Sequence, residues 1–494
     1  MLHRAYRPSI GAALRLPARS VRTRTTALRF YSTAGPSKAS RTPQLIGLAA
    51  VSAVAGWCIA SFRKDGSQPT GAIPQLGSGP VDLDAVVKTP VDAGSFEEAD
   101  AKLRHDVFTG TFAAEGKNAY VYAARVASNH PVEDNMQCAK APGIGGADSL
   151  FNGVYDGHAG WATSVLLKAA LVPAVSEYTR KLGRDAPDAA VDAAITRAFT
   201  DVDGIIMNKA EKAVEALKLG AVEPGDHGVI AALAPAIAGS CALLSVFDPP
   251  TSTLRVACTG DSRAVLGIIP AGSTSYSAVE LSKDQNGRNQ DEYDRITKEH
   301  PGEEGMIDPK SGRLFGIAVT RAFGDHRWKW TSEFINQIHL DFFGTAPRPK
   351  AVSPPYMTAA PVVTTTKIHG PDFVILASDG LWDHISSEDA VECVSQWLAA
   401  KKAGVRSPAD KLAHTPAMPS KFAVDSGWPN WHATPEYFVV EDLDNAAVHL
   451  IKNAFGGRRR TLFTGVTLAY PPLARTVRDD TTVQVIFFQD PTKK

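Results

Sequence analysis

Cysteine is scarce in this sequence of 494 residues: five only, Cys58, Cys138, Cys241, Cys258 and Cys393, with no Cys-x-x-Cys pair among them. That spacing excludes a paired-cysteine zinc site and a disulfide framework, and it predicts mostly buried free thiols. None of the five is followed six positions later by arginine, which excludes the thiol class of phosphatases. Acid is absent from the first 64 residues, which hold eleven Lys and Arg. The whole chain has a formal net charge of zero, so residues 65–494 carry about eleven acids in excess. An acidic body of this kind excludes general nucleic-acid binding, which depends on cationic patches that displace phosphate counterions. It suits the binding of divalent cations. Internal repeats are also missing.

What is present divides the chain. Residues 1–40, rich in Arg, Ser, Thr and Ala, predict a mitochondrial transit peptide. Arg29-Phe30-Tyr31-Ser32 resembles a matrix-processing site that would leave Ser32 as the new N-terminus. Leu45 to Phe62 is an 18-residue run without charge, flanked by Arg41, Arg63 and Lys64. As a helix it would span about 27 Å, enough for a bilayer core, and it is read as an inner-membrane anchor. Residues 65–95 read as a linker containing Pro, Gly and Ser, and residues 100–489 as the globular body. Hydrophobic content of 44% allows that body a sizeable core.

Within the body, strand patterns fall at 119–126, 151–155, 241–247, 254–258, 264–269, 373–377 and 482–488. Helical patterns cover 161–182, 189–217, 387–400 and 442–453. Strands clustered apart from helices predict an α+β fold of packed antiparallel sheets with helices outside. Residues 334–360 and 403–435 read as surface insertions.

Acidic motifs stand at the predicted strand ends: Glu133-Asp134, Asp156, Asp379 and Asp479-Asp480. Singly, an Asp-Gly pair is ordinary turn chemistry. Together, strand-end carboxylates can meet across the mouth of a sheet pair, and hard divalent ions prefer such oxygen ligands. Two ions held close together can activate water and stabilise an in-line displacement at phosphorus.

The segment Phe151–Gly160 (FNGVYDGHAG) closely resembles the signature of the metal-dependent, type 2C protein phosphatases. In that family's order follow Thr259–Arg263 (TGDSR), Thr320–Asp325 (TRAFGD), Val374–Asp383 (VILASDGLWD) and Arg478–Val483 (RDDTTV). Within the family the chain looks most like the pyruvate dehydrogenase phosphatase branch. Leu281–Asn286 through Glu299-His300-Pro301, Phe323–Trp330 and Pro471–Arg475 carry that likeness.

The resemblance implies a four-layer α-β-β-α sandwich. It implies phosphoserine and phosphothreonine hydrolysis on protein substrates, by water activated at two Mg²⁺ or Mn²⁺ ions, without a covalent enzyme intermediate. Asp156 would bridge both ions. Asp379 and Asp479 would complete the first ion's protein ligands, and Glu133 with the Gly157 carbonyl would hold the second. Asp134 would act through water, Asp325 would help bind a third ion, and His158 would protonate the departing oxygen. Gly260–Arg263 is expected to be a structural hairpin turn, Trp328, Trp330 and Trp382 to be packing residues, and Arg458–Arg460 to be a solvated loop. One departure stands out: Asn129 occupies the place of an arginine that grips substrate phosphate in many members. A catalytically inactive scaffold of the same fold would have lost metal carboxylates, and all of them remain. Hydrolysis of a small phosphorylated metabolite is the third reading, disfavoured by the open insertions. A matrix enzyme and a body facing the intermembrane space are both compatible with the leader and the apolar run.

Overall fold

The computed structural model describes residues 94–342, 344–408, 423–425 and 428–493. The leader over 1–40, the apolar run over 45–62 and nearly all of the linker lie outside the described residues. No described helix is long and apolar enough to cross a membrane.

Two antiparallel sheets face each other. The first has six strands in the order β1 (Val107–Ala114), β2 (Lys117–Val126), β16 (Thr481–Phe487), β13 (Phe373–Ala377), β9 (Arg263–Ile268) and β10 (Ser277–Glu280). The second has five: β12 (Val362–Lys367), β8 (Thr253–Thr259), β7 (Ala242–Asp248), β4 (Asp148–Tyr155) and β3 (Asn135–Pro142). Period-two alternation explains why both faces of each sheet are covered. In β13, Val374 and Leu376 point between the sheets, where they meet Val154, Leu243 and Val256 of the other sheet. Phe373, Ile375 and Ala377 point outward into a second cluster with the helices Phe96–Leu103, Ser387–Ala403, Ala446–Ala454 and Arg460–Leu468. Phe151 and Tyr155 of β4 point outward on the far side, beneath the helices Ala162–Thr179, Asp188–Lys218 and His227–Ile237. The result is the α-β-β-α sandwich.

Trp397 anchors the first helical layer. It is fully buried, with ring centroids 5.3 Å from Tyr122 and 5.5 Å from Phe487. Truncating such a residue removes about 3–5 kcal/mol of stability.

Three expectations need correction. Gly260–Ser262 is not a hairpin turn, because β8 and β9 belong to different sheets and the segment carries the chain between them. The segment 334–360 is not a plain surface insertion: Ile335, Ile338, Tyr356, Met357 and Ala359 are buried. The Arg458–Arg460 loop is not wholly solvated, since Arg459 is buried and Arg460 pairs with Glu441. Trp328, Trp330 and Trp382 are buried, as packing residues should be.

Candidate metal and catalytic centre

Strand β4 continues across Asp156 into a two-residue strand, β5 (Gly157–His158), which pairs with β6 (Gly239–Ser240). The Asp156 carbonyl accepts from Cys241 N at 2.8 Å, so the backbone on both sides of the carboxylate is held. Asp379 opens a one-turn helix directly after β13, where Ser378 N donates to Thr482 O at 3.1 Å. Asp261 sits in the crossover between sheets. Gln285 fixes that crossover by accepting from Gly260 N at 2.7 Å and donating to Cys258 O at 3.0 Å.

Oxygens of Asp156, Asp261 and Asp379 lie within 4.8 Å of one another. Asp156 Oδ2 and Asp379 Oδ1 are buried without a hydrogen-bond partner. Burial first, and the neighbouring carboxylates second, push Asp261 up to about 8 and Asp156 well above the usual carboxylate range; burial also raises Asp379. Orphaned oxygens and mutual repulsion in one small volume are the complement of a positive ion. The donor set is all oxygen, which suits a hard divalent cation.

The Glu133-Asp134 segment is organised by Asp480. Its carboxylate accepts from Ser128 Oγ at 2.8 Å, Asn129 N at 3.0 Å, Glu133 N at 2.7 Å and Asp134 N at 3.3 Å. Glu133 accepts from Asn129 Nδ2 at 2.8 Å and from Gly160 N at 2.7 Å. Gly157 packs so closely on this segment that a Cβ there would fall 2.3 Å from Glu133 O. Asp134 is buried and accepts from Ser378 Oγ at 2.8 Å and Thr482 Oγ1 at 2.7 Å. Burial and the Asp480 charge outweigh those bonds and push it up to about 7.

His158 donates from Nε2 to Asp325 Oδ2 at 2.6 Å. Burial acts to lower the imidazole pKa, but the Asp325 carboxylate, with Asp261 and Glu133 beyond it, holds it above its ordinary value. Asp325 is itself buried in a left-handed conformation, its N–H donating to Ala238 O at 3.0 Å. The strand behind the pair must be glycine: a Cβ at Gly239 would lie 2.1 Å from His158 Nε2 and 2.4 Å from Asp325 Oδ2.

Of the site residues expected from sequence, Asp156 and Asp379 come together in the carboxylate cluster. Glu133, Asp134 and Gly157 form the adjoining segment. Asp479 is not one of the three; it pairs with Arg475 and accepts from Asp480 N at 2.6 Å. Asp325 pairs with His158. Sequence reasoning missed Asp261, the grip of Asp480 on the 128–134 segment and the His158–Asp325 contact. Asp261 carries the same signal as Asp156 and Asp379, an acid beside glycine at a strand end.

The sequence profile of the family described as "Protein phosphatase 2C" matches residues 123–418. A protein phosphatase 2C homolog of Schizosaccharomyces pombe is 38% identical over 383 residues, covering 74% of this chain and 80% of the relative. The mitochondrial [pyruvate dehydrogenase [acetyl-transferring]]-phosphatase 1 of Saccharomyces cerevisiae is 34% identical over 431 residues, covering 79% and 72%. Human mitochondrial [pyruvate dehydrogenase [acetyl-transferring]]-phosphatase 2 is 34% identical over 250 residues, covering 48% and 45%. The chain belongs to the protein phosphatase 2C family. It is a protein serine/threonine phosphatase, acting on phosphorylated proteins.

Proposed function

We propose that this phosphatase hydrolyses phosphoserine and phosphothreonine esters with the help of Mg²⁺ or Mn²⁺ ions, on pyruvate dehydrogenase or another mitochondrial phosphoprotein. The acid-free leader and the mitochondrial relatives support the location and the substrate. The observation that carries the metal reading is the convergence of Asp156, Asp261 and Asp379 with two buried, unpartnered oxygens.

Asp156, Asp261 and Asp379 would hold cations directly. Glu133, the Gly157 carbonyl and Asp479 complete the ligand set implied by the family resemblance, and Asp134 supports it from behind. When bound, divalent cations offset the charge on the phosphoryl oxygens and make water a better nucleophile. The remaining work falls to the chain. Asp325 orients the His158 ring through Nε2, and His158 delivers a proton to the serine or threonine oxygen as the ester breaks. Asn129 and the Gly160 amide hold the Glu133 carboxylate in place.

The test is direct. Titration of purified protein with Mn²⁺ in a calorimeter should give a binding isotherm that Asp156→Asn and Asp379→Asn each weaken severely. Phosphopeptide hydrolysis should vanish with EDTA and return with the ion. Full activity without divalent metal would sink the reading.

A further inference from the structure

Near the site, Arg327 and Arg348 are held over one indole. Their guanidinium carbons lie 5.8 and 4.7 Å from the Trp328 ring centroid. Both side chains are half-buried. The Nε of each is buried with no hydrogen-bond partner, and neither guanidinium pairs with an acid among the described residues. The outer nitrogens of both are not fully buried. Burial, then the charge of Arg348, lowers the Arg327 pKa; burial lowers that of Arg348, opposed by Asp325.

This arrangement is unusual for the molecule. Its body has acids in excess, and other half-buried arginines are matched: Arg321 with Glu292, Arg263 with Asp284, Arg104 with Asp442. Two adjacent cations with no acid paired to either repel each other, and an anion between them would remove that repulsion. Arginine presents a planar fork that matches the oxygens of carboxylate and phosphate groups. The pair also stands beside the chemistry rather than within it. Arg327 is two residues beyond Asp325, which bonds His158, and the Asp325 charge reaches Arg348.

We propose that Arg327 and Arg348 form, over Trp328, a receptor for an oxyanion of the protein substrate that flanks the scissile phosphoester, either a carboxylate or a second phosphate. The assignment rests on the phosphatase reading above and gives it a sequence preference.

The experiment uses phosphoserine peptides in which one neighbouring residue, walked along each side, is alanine, glutamate or a non-hydrolysable phosphonate. The full chain should favour an anionic peptide over its alanine counterpart by about tenfold in kcat/KM. That preference should shrink as NaCl rises. In the double variant Arg327→Gln/Arg348→Gln the ratio should fall to within about twofold. The double variant Arg327→Lys/Arg348→Lys keeps the charge and should retain part of the ratio, which separates lost recognition from lost packing on Trp328. A larger gain with phosphonate names a second phosphate as the natural group; a larger gain with glutamate names an acidic side chain. A wild-type ratio near one at every position, a salt-insensitive ratio, or a ratio unchanged in the glutamine variant would overturn the proposal. So would an equal loss on every peptide and on p-nitrophenyl phosphate, which would put the pair on the scissile group. In these cases wild-type turnover of p-nitrophenyl phosphate leaves the phosphatase reading standing; no turnover of any substrate overturns both.

Discussion

Asn129 bonds Glu133, so this side chain serves to orient a carboxylate. Asn129→Arg would set a guanidinium against Glu133 in competition with any cation. The concentration of Mn²⁺ giving half-maximal activity should rise by roughly tenfold, in line with changes to groups that orient metal ligands. An unchanged metal requirement with a lower KM for phosphopeptide would show the new side chain reaching the phosphate instead. His158→Ala should slow turnover of a serine phosphoester by roughly 10²–10⁴-fold, the range for a positioned acid. Loss on p-nitrophenyl phosphate should be much smaller, because that leaving group needs little protonation. Equal losses on both substrates would assign His158 a structural task.

At the scale of elements, glycine and buried ion pairs decide where the site's segments can sit. β5 and β6 approach so closely that Gly239→Ala should displace the His158–Asp325 pair and mimic His158→Ala in the substrate comparison. The helix Gln290–Glu299 is tied to the segment before Asp325 by Glu292. That carboxylate bonds Arg321 at 2.6 Å, Arg295 at 2.9 Å and Thr320 Oγ1 at 2.8 Å. Burial alone would raise its pKa, but Arg321 and then Arg295 hold it down at about 2. A carboxyl depressed in the fold stabilises above its unfolded pKa of about 4.3. Its contribution is therefore complete at neutral pH and is lost as pH falls from about 4.5 toward 2. Glu292→Gln should lower stability by about 3 kcal/mol at pH 7, since it leaves the half-buried Arg321 without its acid, while Arg295 keeps Glu299. Urea unfolding at pH 7 and pH 3 should show the variant's deficit narrowing in acid.

Legibility in the sequence followed packing. Strand β13 was read with its boundaries intact because both its faces are buried and its residues are uniformly apolar. Strand β3 escapes because polar side chains interrupt its apolar alternation, and the helix Gln290–Glu299 because Tyr293 and Ile296 are its only large apolar residues. Strand β1 is an edge strand and largely exposed, so burial left no strong pattern on it. Asp156 and Asp379 were legible because each follows an apolar strand. Asp261 was misread because its turn residues carry no sign that the chain is changing sheets. Asp480 was read as part of a motif, but its grip on the 128–134 segment is a contact across more than 340 residues of chain, which spacing cannot reveal.

For the whole molecule, the cluster draws on both sheets: Asp156 follows a strand of one, Asp379 a strand of the other, and Asp261 lies on the passage between them. A cation bound there would fasten the mouth of the sandwich. Added Mn²⁺ should raise the thermal midpoint, with about 2.7 kcal/mol of stabilisation at a hundredfold excess over Kd. Asp379→Asn should lose most of that shift in a calorimetric scan. An identical rise in the variant would place the binding elsewhere. The position of β16 has a different consequence, one of timing. It pairs with β2 on one side and β13 on the other, yet every other strand of its sheet precedes it in the chain. During synthesis the β1–β2 hairpin and the β13–β9–β10 ribbon wait as two unjoined pieces, with raw strand edges. Asp480 and Thr482, which hold the Glu133-Asp134 segment, arrive with that same strand. A nascent chain on the ribosome therefore has neither a closed sheet nor an ordered centre until β16 emerges. The enzyme is silent until that strand is made, and a chain cut short before β16 should yield aggregate rather than a weakened phosphatase.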